Sequence, residues 1–170
     1  MTTLVLGGAR SGKSAHAEGL LPADEATYVA TARVDPADTE WQARIATHVA
    51  RRPPGWRTVE PPDLPGFLGT AHGPVLVDDV ATWLTGVMDD HGAWEGDLEP
   101  VRRECARLVA AVAGCSAELV LVSSEVGLGV VPGTRSGRLF RDQLGTLNAG
   151  LADVCASVLL LVAGLPLRLR

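Results

Sequence analysis

The run Gly7-Gly8-Ala9-Arg10-Ser11-Gly12-Lys13-Ser14 fits the pattern G-x-x-x-x-G-K-[ST], and no other feature constrains this chain as much. It follows a short apolar run, Thr3 to Leu6, and opens a stretch with helical character from Lys13 to Leu21. A strand that stops at paired glycines and resumes as a helix turns successive N–H groups toward one point, where the helix N-terminus adds partial positive charge. Glycine permits the backbone angles and the close approach that a side chain would block. The expected object is a phosphate cradle. Backbone from Gly7 to Gly12 surrounds the phosphates, the Lys13 ammonium reaches the β and γ groups, and the Ser14 hydroxyl is placed to ligate Mg²⁺. At average residue frequencies the pattern arises by accident in roughly one chain of this length in a hundred. The bland alternative is a glycine-rich turn that binds nothing.

The basic residues bear on that choice. Of 15, fourteen are arginine, and the one lysine is Lys13. In a chain that uses arginine wherever else it wants a cation, lysine stands where a compact ammonium rather than a planar fork must fit among phosphates.

The rest of the chain supplies the elements that such a loop needs around it. Ala26 to Ala30, Pro74 to Val80, Glu118 to Ser123 and Ser157 to Ala163 are Val- and Leu-rich runs without polar alternation, which predicts strands buried on both faces. Residues 38–49, with Trp41, Ile45 and Val49 at four-residue spacing, predict a helix, as do Leu98 to Val112 and Ser136 to Leu151. The expectation is a single α/β domain over 1–170: a three-layer, RecA-like P-loop fold with a mainly parallel sheet and helices on both faces. The proline-rich segment from Arg51 to Gly66 predicts an irregular connection, and loops of that length inside compact domains are often functional.

Composition narrows the partners. A net charge of −5 argues against a duplex nucleic-acid partner, which needs a basic face to release counterions. Val154 to Leu167 is the longest late apolar stretch, and it is broken by Ser157, Gly164 and Pro166, short of the roughly 20 residues that span a bilayer. It reads as a buried strand. The first residues lack the long apolar run of a signal peptide. Three cysteines, Cys105, Cys115 and Cys155, make neither a disulfide framework nor a zinc site, and a reducing cytoplasm is the expected compartment.

Two further groups carry chemistry. Asp78 and Asp79 follow the strand Val75-Leu76-Val77, where a carboxylate could hold Mg²⁺ or cap the next helix; Asp78 is taken as the metal ligand. In the 38–49 helix, Glu40, Arg44 and His48 fall on one stripe, with Arg51 and Arg52 directly after it. Neutral imidazole is a competent nucleophile toward phosphorus, although a helix-surface histidine is commonly only solvated. The glycine-bearing loop after Ser123, followed by Arg135, Arg138, Arg141 and Asn148, either joins the ligand crevice or serves as a lid or subunit contact.

The ordered set GGARSGKS, YVATA, ARIATH followed by RRPPGWRTVE, VLVDDVATWLT, EVGLGVVP and RLFRDQLGTLN resembles the bifunctional adenosylcobinamide kinase/adenosylcobinamide-phosphate guanylyltransferases of cobalamin assembly, across essentially the whole chain. The resemblance implies that His48 takes GMP from GTP. It further implies that Thr31, Ala32, Arg33, Val49, Ala50, Arg51, Arg52, Glu60 and Asp78 hold the guanine nucleotide. Its substrates would be ATP or GTP, adenosylcobinamide and adenosylcobinamide phosphate, and its state a homo-oligomer, a trimer by resemblance. Ser124, Asp79, Gly86, Ala149 and Cys155-Ala156-Ser157 depart from the family pattern. The other readings are a single-function small-metabolite kinase with His48 idle, and a nucleotide sensor without catalysis.

Overall fold

Short apolar runs with no polar alternation have to be covered on both faces, and a mostly parallel sheet between helices is the arrangement that does so. The structure, a computed structural model, describes residues 1–22, 24–33 and 52–170. Its strands are β1 Thr2–Gly7, β2 Thr27–Ala30, β3 Arg57–Val59, β4 Pro74–Asp78, β5 Glu118–Ser124, β6 Ser157–Val162 and β7 Leu165–Arg168. Its helices are α1 Lys13–Glu18, α2 Leu64–Thr70, α3 Val80–Asp90, α4 Glu99–Gly114 and α5 Arg135–Val154. The strands form one sheet in the order β3-β2-β4-β5-β1-β6-β7. All neighbours are parallel except β6 and β7. The α/β expectation therefore holds.

Alternate residues of each strand enter different cores. Leu4 and Leu6 of β1, Val75 and Val77 of β4, and Leu119 and Leu121 of β5 face α2, α3, α4 and α5. Val5, Leu76, Val120 and Val122 face the other way, against Ala17 of α1 and Leu21. Among the described residues α1 is the one helix on that second face. None of the described helices is long and apolar enough to cross a membrane.

Three elements differ from the sequence expectation. The 51–66 segment is not irregular throughout, because β3 adds to the edge of the sheet in register with β2, pairing Tyr28 with Thr58. Within the same segment α2 begins at Leu64, with Pro65 in its first turn. There the missing N–H costs nothing, so a proline that looks like a breaker starts a helix. The late apolar stretch is two strands rather than one. Ala163 (φ 52°) and Gly164 (φ 81°) both take the left-handed conformation of a two-residue hairpin, and the chain returns as the exposed edge strand β7. The predicted 38–49 helix lies outside the described residues.

The apolar stripe of α5 packs on the first core, and Leu144 on it is fully buried. Leu144→Ala should lower unfolding stability by about 2–5 kcal/mol. Urea unfolding would show it as a lower midpoint at unchanged slope, and a loss under about 1 kcal/mol would mean that α5 does not pack as described.

Candidate functional site

The strand register gathers the chemistry at one sheet edge. Gly7 pairs with Ser124 and Leu161, while Asp78 pairs with Ala30 and with Val122, two residues before the end of β5, so β1, β2, β4 and β5 end within two residues of one another at the same edge. Ligands of open parallel sheets bind outside these carboxyl ends.

At that edge the loop from Gly7 to Ser14 is fixed by its own backbone. Gly7 has no room for a side chain, since a Cβ there would lie 2.4 Å from Ser11 Oγ and 3.1 Å from the Leu161 carbonyl oxygen. Arg10 (φ 57°) and Gly12 (φ 87°) take left-handed angles, which turns the chain sharply into α1. The Ser11 N–H donates to Gly8 O at 3.3 Å, and the Gly164 N–H donates to Ser11 O at 3.0 Å, so the β6–β7 turn props the loop from behind. Lys13 Nζ donates to Gly8 O at 3.4 Å, across the loop mouth. The Ser11 hydroxyl is buried and has no hydrogen-bond partner among the described residues. A buried hydroxyl left unpaired is costly, and a ligand oxygen would satisfy it.

The two adjacent aspartates have separate tasks. Ser14 Oγ donates to Asp78 Oδ1 at 3.3 Å, and Tyr28 Oη donates to Asp78 Oδ2 at 3.0 Å. Burial, and then the Asp78 charge, push the Tyr28 phenol well above its ordinary pKa, so it stays a donor across the physiological range. Asp79 instead caps α3. Its side chain accepts from the Thr82 N–H at 2.6 Å, while its own N–H donates to Thr31 Oγ1 at 3.0 Å. Thr31 Oγ1 donates in turn to Asp79 O at 2.7 Å, beside the cis Asp78–Asp79 peptide.

One hydroxyl and one carboxylate suit Mg²⁺, which keeps several waters and takes its remaining ligands from phosphates. The 3.3 Å between the Ser14 and Asp78 oxygens is close to the roughly 3 Å edge of an octahedron with about 2.1 Å bonds. Among the described residues no cluster of three His, Cys, Asp or Glu offers a harder or softer cage.

The other sequence-derived candidates lie toward the β2–β3 side. Arg33 pairs with Asp90 through two bonds of 2.7 and 2.5 Å, and these hold the Asp90 carboxyl below its usual range. The pair is exposed, which limits its contribution to stability. Arg33 lies over Gly86, where a Cβ would come within 3.2 Å of Nε. Arg52 stacks on Tyr28, its guanidinium carbon 3.2 Å from the ring centroid, and donates to Thr58 Oγ1 at 2.9 Å. Ala32 is half-buried beside Thr31, and Glu60 is exposed just past β3. Since β3 is four strand spacings from β1, Glu60 stands roughly 19 Å across the edge from the phosphate loop. His48, Val49, Ala50 and Arg51 lie outside the described residues.

Sequence reasoning missed Tyr28, whose only signal was a phenol in a short strand that also carries the Thr27 hydroxyl. It also missed the support from the β6–β7 turn, which no local pattern announces. The loop after β5 is tied down by its neighbours. Asn148 is buried, accepts from Ser123 Oγ at 2.6 Å and donates to Ser124 O at 3.0 Å. Arg138 donates to Pro132 O and Gly133 O, both at 3.0 Å, and Arg135 to Trp94 O. Ser124 is thus used through its backbone, which any residue supplies.

A family model described as cobinamide kinase / cobinamide phosphate guanyltransferase matches residues 3–169. The chain is 38% identical over 186 residues to the bifunctional adenosylcobalamin biosynthesis protein CobU of Escherichia coli (strain K12), covering all of both chains. It is 40% identical over 178 residues to the bifunctional adenosylcobalamin biosynthesis protein CobP of Pseudomonas aeruginosa, covering all of this chain and 98% of that one. It is 37% identical over 185 residues to the CobU of Salmonella typhimurium, again over the full length of both.

The contacts around Gly7 make it a sensitive probe of the loop. Gly7→Ala forces Ser11 and the loop to shift, at about 1–3 kcal/mol of strain. Binding of a fluorescent nucleotide analogue should weaken by roughly fivefold to a hundredfold. Wild-type affinity would mean that the loop does not need its described shape.

Proposed function

The chain belongs to the cobinamide kinase / cobinamide phosphate guanyltransferase family, bifunctional transferases of cobalamin biosynthesis, and on that premise we propose how its residues divide the two reactions. The observation that carries the first half is the contact of Ser14 with Asp78 at the mouth of the phosphate loop. Gly7 to Ser14 hold the phosphates of ATP or GTP, since backbone N–H groups read phosphate and not base. Ser14 and Asp78 hold Mg²⁺, which supplies charge neutralisation on the phosphate oxygens. Lys13 follows the γ-phosphoryl group. The hydroxyl of adenosylcobinamide attacks the γ-phosphorus, the bond to the β–γ bridging oxygen breaks, the nucleoside diphosphate leaves, and the hydroxyl proton is released.

In the second reaction a neutral nitrogen of His48 attacks the α-phosphorus of GTP, and the bond to pyrophosphate breaks. A phosphate oxygen of adenosylcobinamide phosphate then attacks the histidine-bound phosphorus. Adenosylcobinamide-GDP leaves and His48 is restored. Thr31, Ala32, Arg33, Val49, Ala50, Arg51, Arg52 and Glu60 position the guanine nucleotide; the full-length resemblance and the arginines after His48 support this. Cys105 and Cys155 are poor rivals for the nucleophile's role, because burial pushes both thiols up to about 11. Three free thiols fit a reducing cytoplasm. The chain acts as a homo-oligomer, a trimer by resemblance, which would cover exposed Leu128, Val130 and Val131.

GTP labelled at the α-phosphate tests the second half directly. Wild-type protein should carry acid-labile, alkali-stable label that His48→Ala lacks, and an unlabelled wild type would refute the histidine route. Lys13→Ala should reduce kinase turnover by about a hundredfold or more, as removal of a group on developing transition-state charge does. Unchanged turnover would remove Lys13 from the reaction.

A further inference from the structure

Tyr28 is the chain's only tyrosine and is 4% exposed on the α1 face of the sheet, among Val5, Leu76 and Val122. A phenol this deep needs a partner for its O–H. It finds one in Asp78 Oδ2 at 3.0 Å, while the other carboxylate oxygen accepts from Ser14. Both oxygens of Asp78 are therefore fixed. The ring that does the fixing is itself held from above by the Arg52 guanidinium, which Thr58 of β3 anchors.

We propose that Tyr28 is a positioning residue for the magnesium carboxylate: its hydroxyl holds Oδ2 of Asp78 so that Oδ1 is presented beside Ser14, with Arg52 clamping the ring. The proposal rests on the reading that Asp78 and Ser14 hold Mg²⁺. Without the phenol, Asp78 Oδ2 loses this bond, and each orientation of the carboxylate away from Ser14 weakens the site. Groups that orient a metal ligand typically contribute 10- to 100-fold to metal affinity. Because Arg52 follows directly on the segment that carries His48, the same stack links a residue of the guanylyl half, through the Tyr28 ring, to the carboxylate of the kinase half.

The test uses the full chain and a fluorescent GTP analogue titrated with Mg²⁺. Tyr28→Phe keeps the ring beneath Arg52 and removes only the hydroxyl. It should raise the Mg²⁺ concentration at half-saturation by about tenfold while leaving nucleotide affinity in EDTA unchanged. An unshifted midpoint, or equal weakening with and without Mg²⁺, overturns the proposal, the latter because it marks general damage to the fold. Asp78→Asn separates this from the reading beneath it. If Asp78→Asn leaves the midpoint at the wild-type value, the magnesium assignment fails. If it raises the midpoint and Tyr28→Phe does not, only the role of Tyr28 fails. On the Asp78→Asn background Tyr28→Phe should add nothing. A second measurement needs no substitution: 3-fluorotyrosine labels this one site, and its single ¹⁹F resonance should move when Mg²⁺ joins bound nucleotide. A resonance indifferent to Mg²⁺ would overturn the proposal equally.

Discussion

Parallel pairing on both sides of β1 is the constraint from which the rest of the site follows. β5 and β6 run alongside it in the same direction, so Gly7, Ser124 and Leu161 reach the same edge together. Through β5 the register passes to β4 and then to β2, which brings Asp78 and Ala30 level with one another. A slip of one residue in any of these ladders would turn an apolar set out of its core and move a carboxylate away from the loop. Core packing and site geometry are thus enforced by the same contacts.

Adjacent identical side chains show how finely that edge is divided. Asp78 is the last residue of β4 and meets Ser14 and Tyr28, whereas Asp79 is the first residue beyond it and serves the N–H of Thr82. A residue that caps a helix is occupied by backbone and is a poor metal ligand. The departure from the family pattern at Asp79 is accommodated in this way, as a strong helix cap. Gly86 is accommodated differently, by leaving the space in which Arg33 lies on its way to Asp90.

Much of this was legible in the sequence wherever one stretch of chain specifies the feature. The phosphate loop, the apolar strands and the amphipathic α4 and α5 each carry a local pattern, and the α/β arrangement follows from their alternation. Asp78 and Asp79 were recognisable as a pair, but their division of labour depends on Thr31 and Tyr28, about fifty residues earlier. β3 was hidden because three residues show no periodicity. The β6–β7 hairpin was hidden because Ala163 in a left-handed conformation carries no glycine signal of its own. Tyr28 eluded notice for a related reason: its role is defined by Asp78, Arg52 and Ser14, which no spacing connects.

The turn at Ala163–Gly164 has a temporal consequence. Its amide supports Ser11, and β1 lies between strands that begin at residues 118 and 157. During synthesis β1 emerges before both of its neighbours and stays without either until β5 appears, roughly 110 residues later. Its phosphate loop waits longer still, for the hairpin that buttresses it. At about 5–20 residues per second that delay is on the order of ten seconds or more, during which an apolar strand needs shelter from solvent and from other chains. A loop made before the strands that flank it is therefore among the last parts of the site to become functional.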